Sequence, residues 1–272
     1  MKKFIRTYLP FSRAGLQSSM AYRANFIFFM LGEIFKCFVM FFVWKAVFSS
    51  SGGETFMGFT MENMIVYVFI SFLTGYLSFS DGAFALGEEI VDGSVTMRLI
   101  KPCSFDMCFL FQELGNKVMN YTIMFFPIVL GVEIYRFVAT GGVCFNIWYF
   151  LLFFVSLQLA YLINFYFNVC YGFLAFFLTN LWGTNLIKNV IVNFLSGATI
   201  PLAFMPDALR IVLTYLPFAS LSYTPVMIYM EIYTGSQIVF SMALQVFWLV
   251  FFVVVSKLLW KSAMKHLCLQ GG

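Results

Sequence analysis

Histidine occurs once in this chain of 272 residues, and charged side chains make up only 10% of it. A single histidine, His266 beside Lys265, leaves no partner for a His-based triad or a histidine metal centre. It reads instead as a side chain at headgroup level. No GxxxxGK followed by serine or threonine occurs, so no nucleotide-binding loop is expected on this chain. HExxH and GxSxG are missing as well. The six cysteines (Cys37, Cys103, Cys108, Cys144, Cys170 and Cys268) form no CxxC and no zinc-type cluster. Most fall in apolar runs, where a thiol behaves as a small hydrophobe, so no structural disulfide is expected. Asp81, Asp92 and Asp106 recur without catalytic spacing. Neither enzyme chemistry nor a metal or cofactor is expected on this chain.

What the chain has in excess is apolar surface: 62% of its residues are hydrophobic, 38 of them phenylalanine. A soluble domain is about half apolar and about a quarter charged, and its interior could not hide this much. The bilayer is the solvent. A helix crosses the hydrocarbon core in about 20 apolar residues, and six stretches qualify, near Ala24–Phe48, Asn63–Ser80, Val118–Phe137, Ile147–Leu178, Leu186–Phe204 and Ile238–Trp260. The fourth is too long for one straight span, so it tilts or projects. The fold class expected is an all-α membrane protein with six transmembrane helices, forming one domain over residues 1–272. With both termini cytosolic, twelve lysines and arginines lie inside and three (Lys45, Arg136 and Arg210) outside. The positive balance therefore reflects topology, not nucleic-acid binding.

Residues 1–23 lack the unbroken apolar core and small-residue cleavage site of a signal peptide. They mix Phe4, Ile5, Tyr8, Leu9 and Phe11 with Arg6 and Arg13, as suits a segment lying in the interface plane. Pro10 is expected to break that segment in two. SSSGGETFMGFT, residues 49–60, reads as a flexible polar turn. Between spans five and six, Pro201, Pro206, Pro217 and Pro225 interrupt a strongly apolar stretch. Residues 201–225 are expected to form short helices dipping back from the outer face, one of them capped by Asp207.

Polar groups within the spans carry weight because lipid makes them costly. Glu33 and Lys36 stand three apart, close enough to pair, facing either a neighbouring helix or a hydrated path. Asn185, Asn189 and Asn193 recur every fourth residue, and Gly197 continues the row. This stripe either hydrogen-bonds within the bundle or faces a partner subunit or substrate route. Asn164, Asn168 and Gly172 repeat the spacing in span four. Ser71 and Gly75, beside Thr74, Ser78 and Gly82, give span two a small-residue face for close packing.

The segment GEEIVDGSVTMRLIKP, residues 87–102, stands apart. Phe84–Val91 suits a short helix with Leu86 and Ile90 on one side and Glu88, Glu89 and Asp92 turned away. Asp92-Gly93 signals a break. A second short helix follows through Val95, Leu99 and Ile100, with Arg98 and Lys101 near its end and Pro102 as its stop. Two amphipathic pieces hinged at Gly93 would turn apolar faces to the membrane and charges to the cytosol.

The chain resembles the permease subunits of ABC-2-type transporters over nearly its whole length. Tyr22-Arg23-Ala24-Asn25-Phe26 and Trp44-Lys45-Ala46-Val47-Phe48 resemble the two ends of that family's first span. Ile90-Val91-Asp92-Gly93-Ser94 and Leu99-Ile100-Lys101-Pro102 resemble its pattern between spans two and three. Ser196-Gly197, Pro201 to Pro206, Leu216-Pro217-Phe218 and Pro225-Val226 resemble its outer re-entrant segment. The resemblance implies an interfacial N-terminal elbow helix, six spans and a homo- or heterodimer of permeases. It also implies separate ABC ATPase subunits that carry the ATP and Mg. The cytosolic loop 82–106 would then hold a coupling helix, with Glu88, Glu89, Asp92, Gly93 and Arg98 as its contact residues. Asn185, Asn189, Asn193, Ser71 and Gly75 become candidates for the pathway or dimer interface. Export of an amphipathic drug, peptide or lipid across a bacterial plasma membrane is the expected activity. A non-transporting immunity or scaffold protein of the same fold and a secondary transporter are the alternatives.

Overall fold

A computed structural model describes residues 2–51, 55–100, 103–142, 145–176, 178 and 181–263. His266, Cys144, Cys268, Lys101 and Pro102 lie outside them, as do the side chains of Arg23, Asn25, Phe26 and Leu99. The described residues are predominantly helical, and five of their helical stretches are long and apolar enough to cross a membrane.

The first helix, α1 (Lys2–Ala21), is continuous through Pro10 rather than broken by it. Pro10 is exposed, so the bond it cannot make falls on the outer face of the helix. The opposite face is fixed by packing, described below. After a turn at Tyr22, α2 (Arg23–Ser51) follows, a peripheral helix with Phe28, Phe29, Phe35 and Phe42 exposed. The polar turn expected over 49–60 is partly ordered. Thr55–Phe56 (β1) pairs with Phe59–Thr60 (β2) across Met57 and Gly58, both at positive φ. That conformation matches the twist of a two-residue hairpin, and Phe56 and Phe59 meet Phe204 at ring separations of 5.5 and 5.3 Å.

Thr60 caps α3 (Met61–Ser78) by accepting from the Asn63 N–H. Two short helices come next, α4 (Gly82–Val91) and α5 (Val95–Leu99). The chain then enters α6 (Phe105–Asn120), a π-helical turn at Tyr121–Phe125, and α7 (Phe126–Thr140). These three pieces form one helical stretch of 36 residues, about 54 Å long at 1.5 Å per residue, far longer than Val118–Phe137. The π turn has a local cause. Pro127 has no N–H and its ring crowds the carbonyl four residues back, and the wider turn accommodates both.

Helix α8 (Ile147–Gly172), continued as a 3-10 turn over Phe173–Phe176, is the central element, with Phe153, Leu157, Ala160, Ile163 and Phe165 fully buried. It joins two apolar cores. One lies around Met64, Ile70, Leu73, Phe153 and Val226, the other around Leu86, Phe109, Tyr161, Phe165 and Phe252.

Helix α9 (Trp182–Leu195) has 14 residues, or about 21 Å, short of a hydrocarbon core about 30 Å thick. The helical run expected over Leu186–Phe204 stops early because Gly197, instead of continuing the asparagine row, adopts φ +77° just past the last helical turn. This left-handed exit is a common helix stop. A Cβ there would also crowd Leu202 and Tyr223. Beyond it come α10 (Asp207–Tyr215), α11 (Tyr223–Tyr229) and α12 (Ser236–Ala263). Pro206, not Asp207, precedes the first turn of α10, and Asp207 pairs with Arg210 instead of capping. Every residue of α11 is buried. Gln245 of α12, fully buried, donates to the Ser156 and Ser220 carbonyls and accepts from the Ser156 hydroxyl. It ties α8 and α12 to the short turn at Ala219–Leu221.

Helix α1 crosses the first half of α6 almost backbone to backbone. A Cβ on Gly115 would lie 2.0 Å from the Ser12 carbonyl, and one on Gly15 would lie 2.1 Å from the Gln112 carbonyl. Ser12 donates to the Phe111 carbonyl at 2.7 Å, and Tyr8 stacks on Phe111. Gly115→Val is expected to lower the unfolding midpoint in detergent by about 5 °C, as forced overpacking costs roughly 1–3 kcal/mol. Gly131→Val, whose Cβ would meet open space, should leave the midpoint unchanged when both are followed by thermal melts.

Candidate functional site

The segment from 79 to 104 interrupts the long helices with two short ones and a glycine turn. Leu86 and Val95 are buried, and Leu86 packs into the core around Phe109 and Phe165. The apolar faces of α4 and α5 are thus turned to the protein rather than to the membrane. Gly87 sits against Leu181, where a Cβ would come within 2.5 Å of a leucine methyl. Gly93, at φ +77°, makes the turn between α4 and α5 as expected. Asp92 accepts from the Ser94 N–H at 2.8 Å, and hydrogen bonds from the Ser94 hydroxyl and N–H hold its exposed carboxyl below the usual carboxylate range.

The acids of this segment divide into two kinds. Glu88 and Asp92 are exposed. Glu89 does not turn away with them. Its two carboxylate oxygens accept from Arg98 Nε and Nη2, both at 2.6 Å. The guanidinium also lies over the Phe109 ring at 4.0 Å and reaches Gln112. This forked pair fixes α4 to α5 across the glycine turn, and the stack on Phe109 fixes both to α6. On the outside, Val91, Met97 and Ile100 are exposed. The tip of the segment therefore presents two acids among three apolar side chains.

The attachment of this segment to the long helices rests on two residues that the pattern of spans did not single out. Lys117 of α6 is 5% exposed and donates to the Leu77 and Phe79 carbonyls, each at 2.7 Å. These are carbonyls at the end of α3, where the chain leaves the helix. Glu113, one turn earlier on the same face, accepts from the Ser80 hydroxyl at 2.9 Å and the Asp81 N–H at 3.0 Å. Tyr161 of α8 also donates to it, at 3.4 Å. One face of α6 thus grips both sides of the α3–α4 break. The signal was present in the sequence: a glutamate and a lysine four apart beside an apolar run, the same kind of pairing read at Glu33 and Lys36.

The asparagines of span four continue this network. Asn164 donates to the Ser78 carbonyl at 2.8 Å, Asn168 donates to Asn164, and Lys188 of α9 donates to Asn168 Oδ1. Lys188 also lies over the Tyr171 ring. The α9 stripe itself is less occupied. Asn185 and Asn189 are half-buried, Asn193 is exposed, and Asn185 Oδ1 lacks a hydrogen-bond partner among the described residues. No residue of α9 is buried, and Trp182, Ile187 and Val190 are exposed on it.

The other candidates separate. Ser71 is buried and bonds to the Ala198 carbonyl at 3.0 Å and the Ser222 hydroxyl at 3.2 Å, which places it inside the chain rather than on a face offered to a partner. Gly75, one turn away, has open space around it instead of the close helix contact expected. Glu33 and Lys36 form an ion pair on α2, with the lysine side chain 67% exposed.

A bundle of long apolar helices, broken by one charged and internally braced segment, defines a multi-pass membrane protein. A family model described as "ABC-2 family transporter protein" matches residues 34–271, and the chain belongs to that family. No curated protein matches the chain.

Lys117→Met would leave the Leu77 and Phe79 carbonyls without their donor and Glu113 without its neighbouring cation. The expected loss is on the order of 3 kcal/mol, read by unfolding in mixed micelles. Adding Glu113→Gln should recover part of it, because the stranded charge is then removed.

Proposed function

We propose that the chain is the permease subunit of an ATP-driven ABC exporter. It works as one of two permeases, with ATP and Mg held on separate ATPase subunits. The observation that carries this reading is the braced tip: Glu88 and Asp92 exposed beside Val91, Met97 and Ile100, on two helices fastened to each other by Glu89–Arg98. A mere connector needs no such bracing. A surface that must transmit displacement does, since a partner shifts this chain only through its different fit to two states.

In this reading residues 82–106 form the coupling loop on the cytosolic side of a bacterial plasma membrane, with both termini on that side. Glu88 and Asp92 meet basic groups of the ATPase groove, while Glu89 is reserved for Arg98. Helix α1 is the interfacial elbow, its Phe4, Ile5 and Leu9 exposed to lipid. Residues 201–225 re-enter from the outer side, and together with α9 they complete a sixth crossing. The α9 stripe of Asn185, Asn189 and Asn193 faces the second permease or the substrate route. The uncovered surface of α9, on which no residue is buried, supports that placement. The aromatic-rich wall suits an amphipathic cargo such as a drug, peptide or lipid.

Glu88→Lys together with Asp92→Lys should leave membrane insertion and folding intact, because both side chains are exposed. Substrate-stimulated ATP turnover and transport by the reconstituted complex should fall about tenfold, in the range of a coupling free energy between sites. Undiminished turnover and transport would sink the reading.

A further inference from the structure

The cysteines read from sequence as scattered small hydrophobes, and two of them come together. Cys103 and Cys108 have their Sγ atoms 3.1 Å apart, inside the roughly 3.5–4.0 Å of ordinary nonbonded carbon contacts. The local fold explains the meeting. Ser104 is the N-cap of α6, so Cys103 stands just before the cap and Cys108 at the fourth helical position. These are the two sites whose side chains pack together at many helix starts. Two aliphatic residues would serve that packing equally well. Two thiols add chemistry, because a disulfide needs a separation of about 2.05 Å between side chains already facing each other.

We propose that Cys103 and Cys108 form a reversible dithiol–disulfide pair. The two thiols differ in access. Cys103 is half-buried, whereas Cys108 is 2% exposed. That difference assigns the order of events. Cys103 Sγ, as the thiolate, attacks one sulfur of a small disulfide and displaces its first thiol, leaving a mixed disulfide. Cys108 Sγ, as the thiolate, then attacks the Cys103 sulfur and displaces the second thiol. The two protons lost by the cysteines leave on the two released thiols. The protein is oxidised by two electrons and the small disulfide is reduced by the same two.

The bond would lie on the arm that returns from α5 to α6. Ser104 at the start of α6 is also held there, its N–H donating to the Tyr8 hydroxyl at 3.0 Å. Oxidation ties the arm to the first turns of α6, the helix that carries Glu113 and Lys117. The pair stands whether or not the chain couples to ATP hydrolysis.

The test uses the full chain in lipid nanodiscs, equilibrated against reduced and oxidised glutathione in graded ratio. It is then quenched in acid, alkylated and cleaved at arginine and lysine. In the oxidising buffers, the fragment Leu99–Lys117 should be recovered without alkylation and two hydrogens lighter, and dithiothreitol should restore it. Cys108→Ser should instead retain a glutathione adduct on Cys103, since the resolving thiol is gone. A doubly alkylated fragment in oxidising buffer would overturn the proposal. So would a stable glutathione adduct on Cys103 of the unaltered chain, or a disulfide joining two chains through Cys103.

Discussion

A helix that ends inside or beside a membrane leaves carbonyls with no water to meet them, and the rest of the structure must supply donors. Here that constraint falls at the end of α3. The Lys117 ammonium meets the Leu77 and Phe79 carbonyls, and Glu113 meets Ser80 and the N–H of Asp81 on the far side of the break. Unsatisfied backbone groups in hydrocarbon cost several kcal/mol each, so the break is tolerable only because α6 stands beside it. The N-terminal half of the long stretch from Phe105 to Thr140 supplies both groups, and α1 packs across that same half at Gly15 and Gly115.

The same network continues into the central helix. Tyr161 and Asn164 of α8 reach Glu113 and the Ser78 carbonyl, and Asn168 reaches Lys188 of α9. Movement of the α4–α5 segment is therefore felt directly by α8, against which α4 packs through Leu86, and by α6 through Arg98 and Glu113. Arg98 adds a second hold, pairing Glu89 and stacking on Phe109. The charged interruption is thus braced to its neighbours at both ends while Glu88 and Asp92 stay exposed.

Much of this was legible in the sequence. The runs that form α2, α3, α8 and α12 stand out as long and predominantly apolar, and the amphipathic pattern around Asp92-Gly93 places α4 and α5. The failures have physical causes. Gln112, Glu113, Asn116 and Lys117 dilute the apolar signal, so the third span reads as beginning at Val118, although each finds a partner elsewhere in the chain: the Arg98 guanidinium, Ser80 and Asp81, the Ser19 hydroxyl, and the Leu77 and Phe79 carbonyls. Glu89 resembled its neighbours Glu88 and Asp92 because its partner, Arg98, meets it only after the glycine turn folds the two helices together. Gly197 fits the fourfold row of asparagines, but its backbone takes the left-handed conformation that ends α9. At Met57-Gly58 the hairpin was hidden because methionine seldom adopts positive φ.

The central claim is that the α4–α5 segment and α6 move as one body. The most direct measurement is a pulsed-EPR distance between spin labels on non-natural residues at positions 91 and 118, both exposed in the native chain. It would be made in the complex proposed above, without nucleotide and with ATP added. The expected result is a single narrow distance, the same in both states, that broadens when Lys117→Met and Glu113→Gln are introduced. A distance that shifts on ATP binding in the unaltered chain would contradict the account.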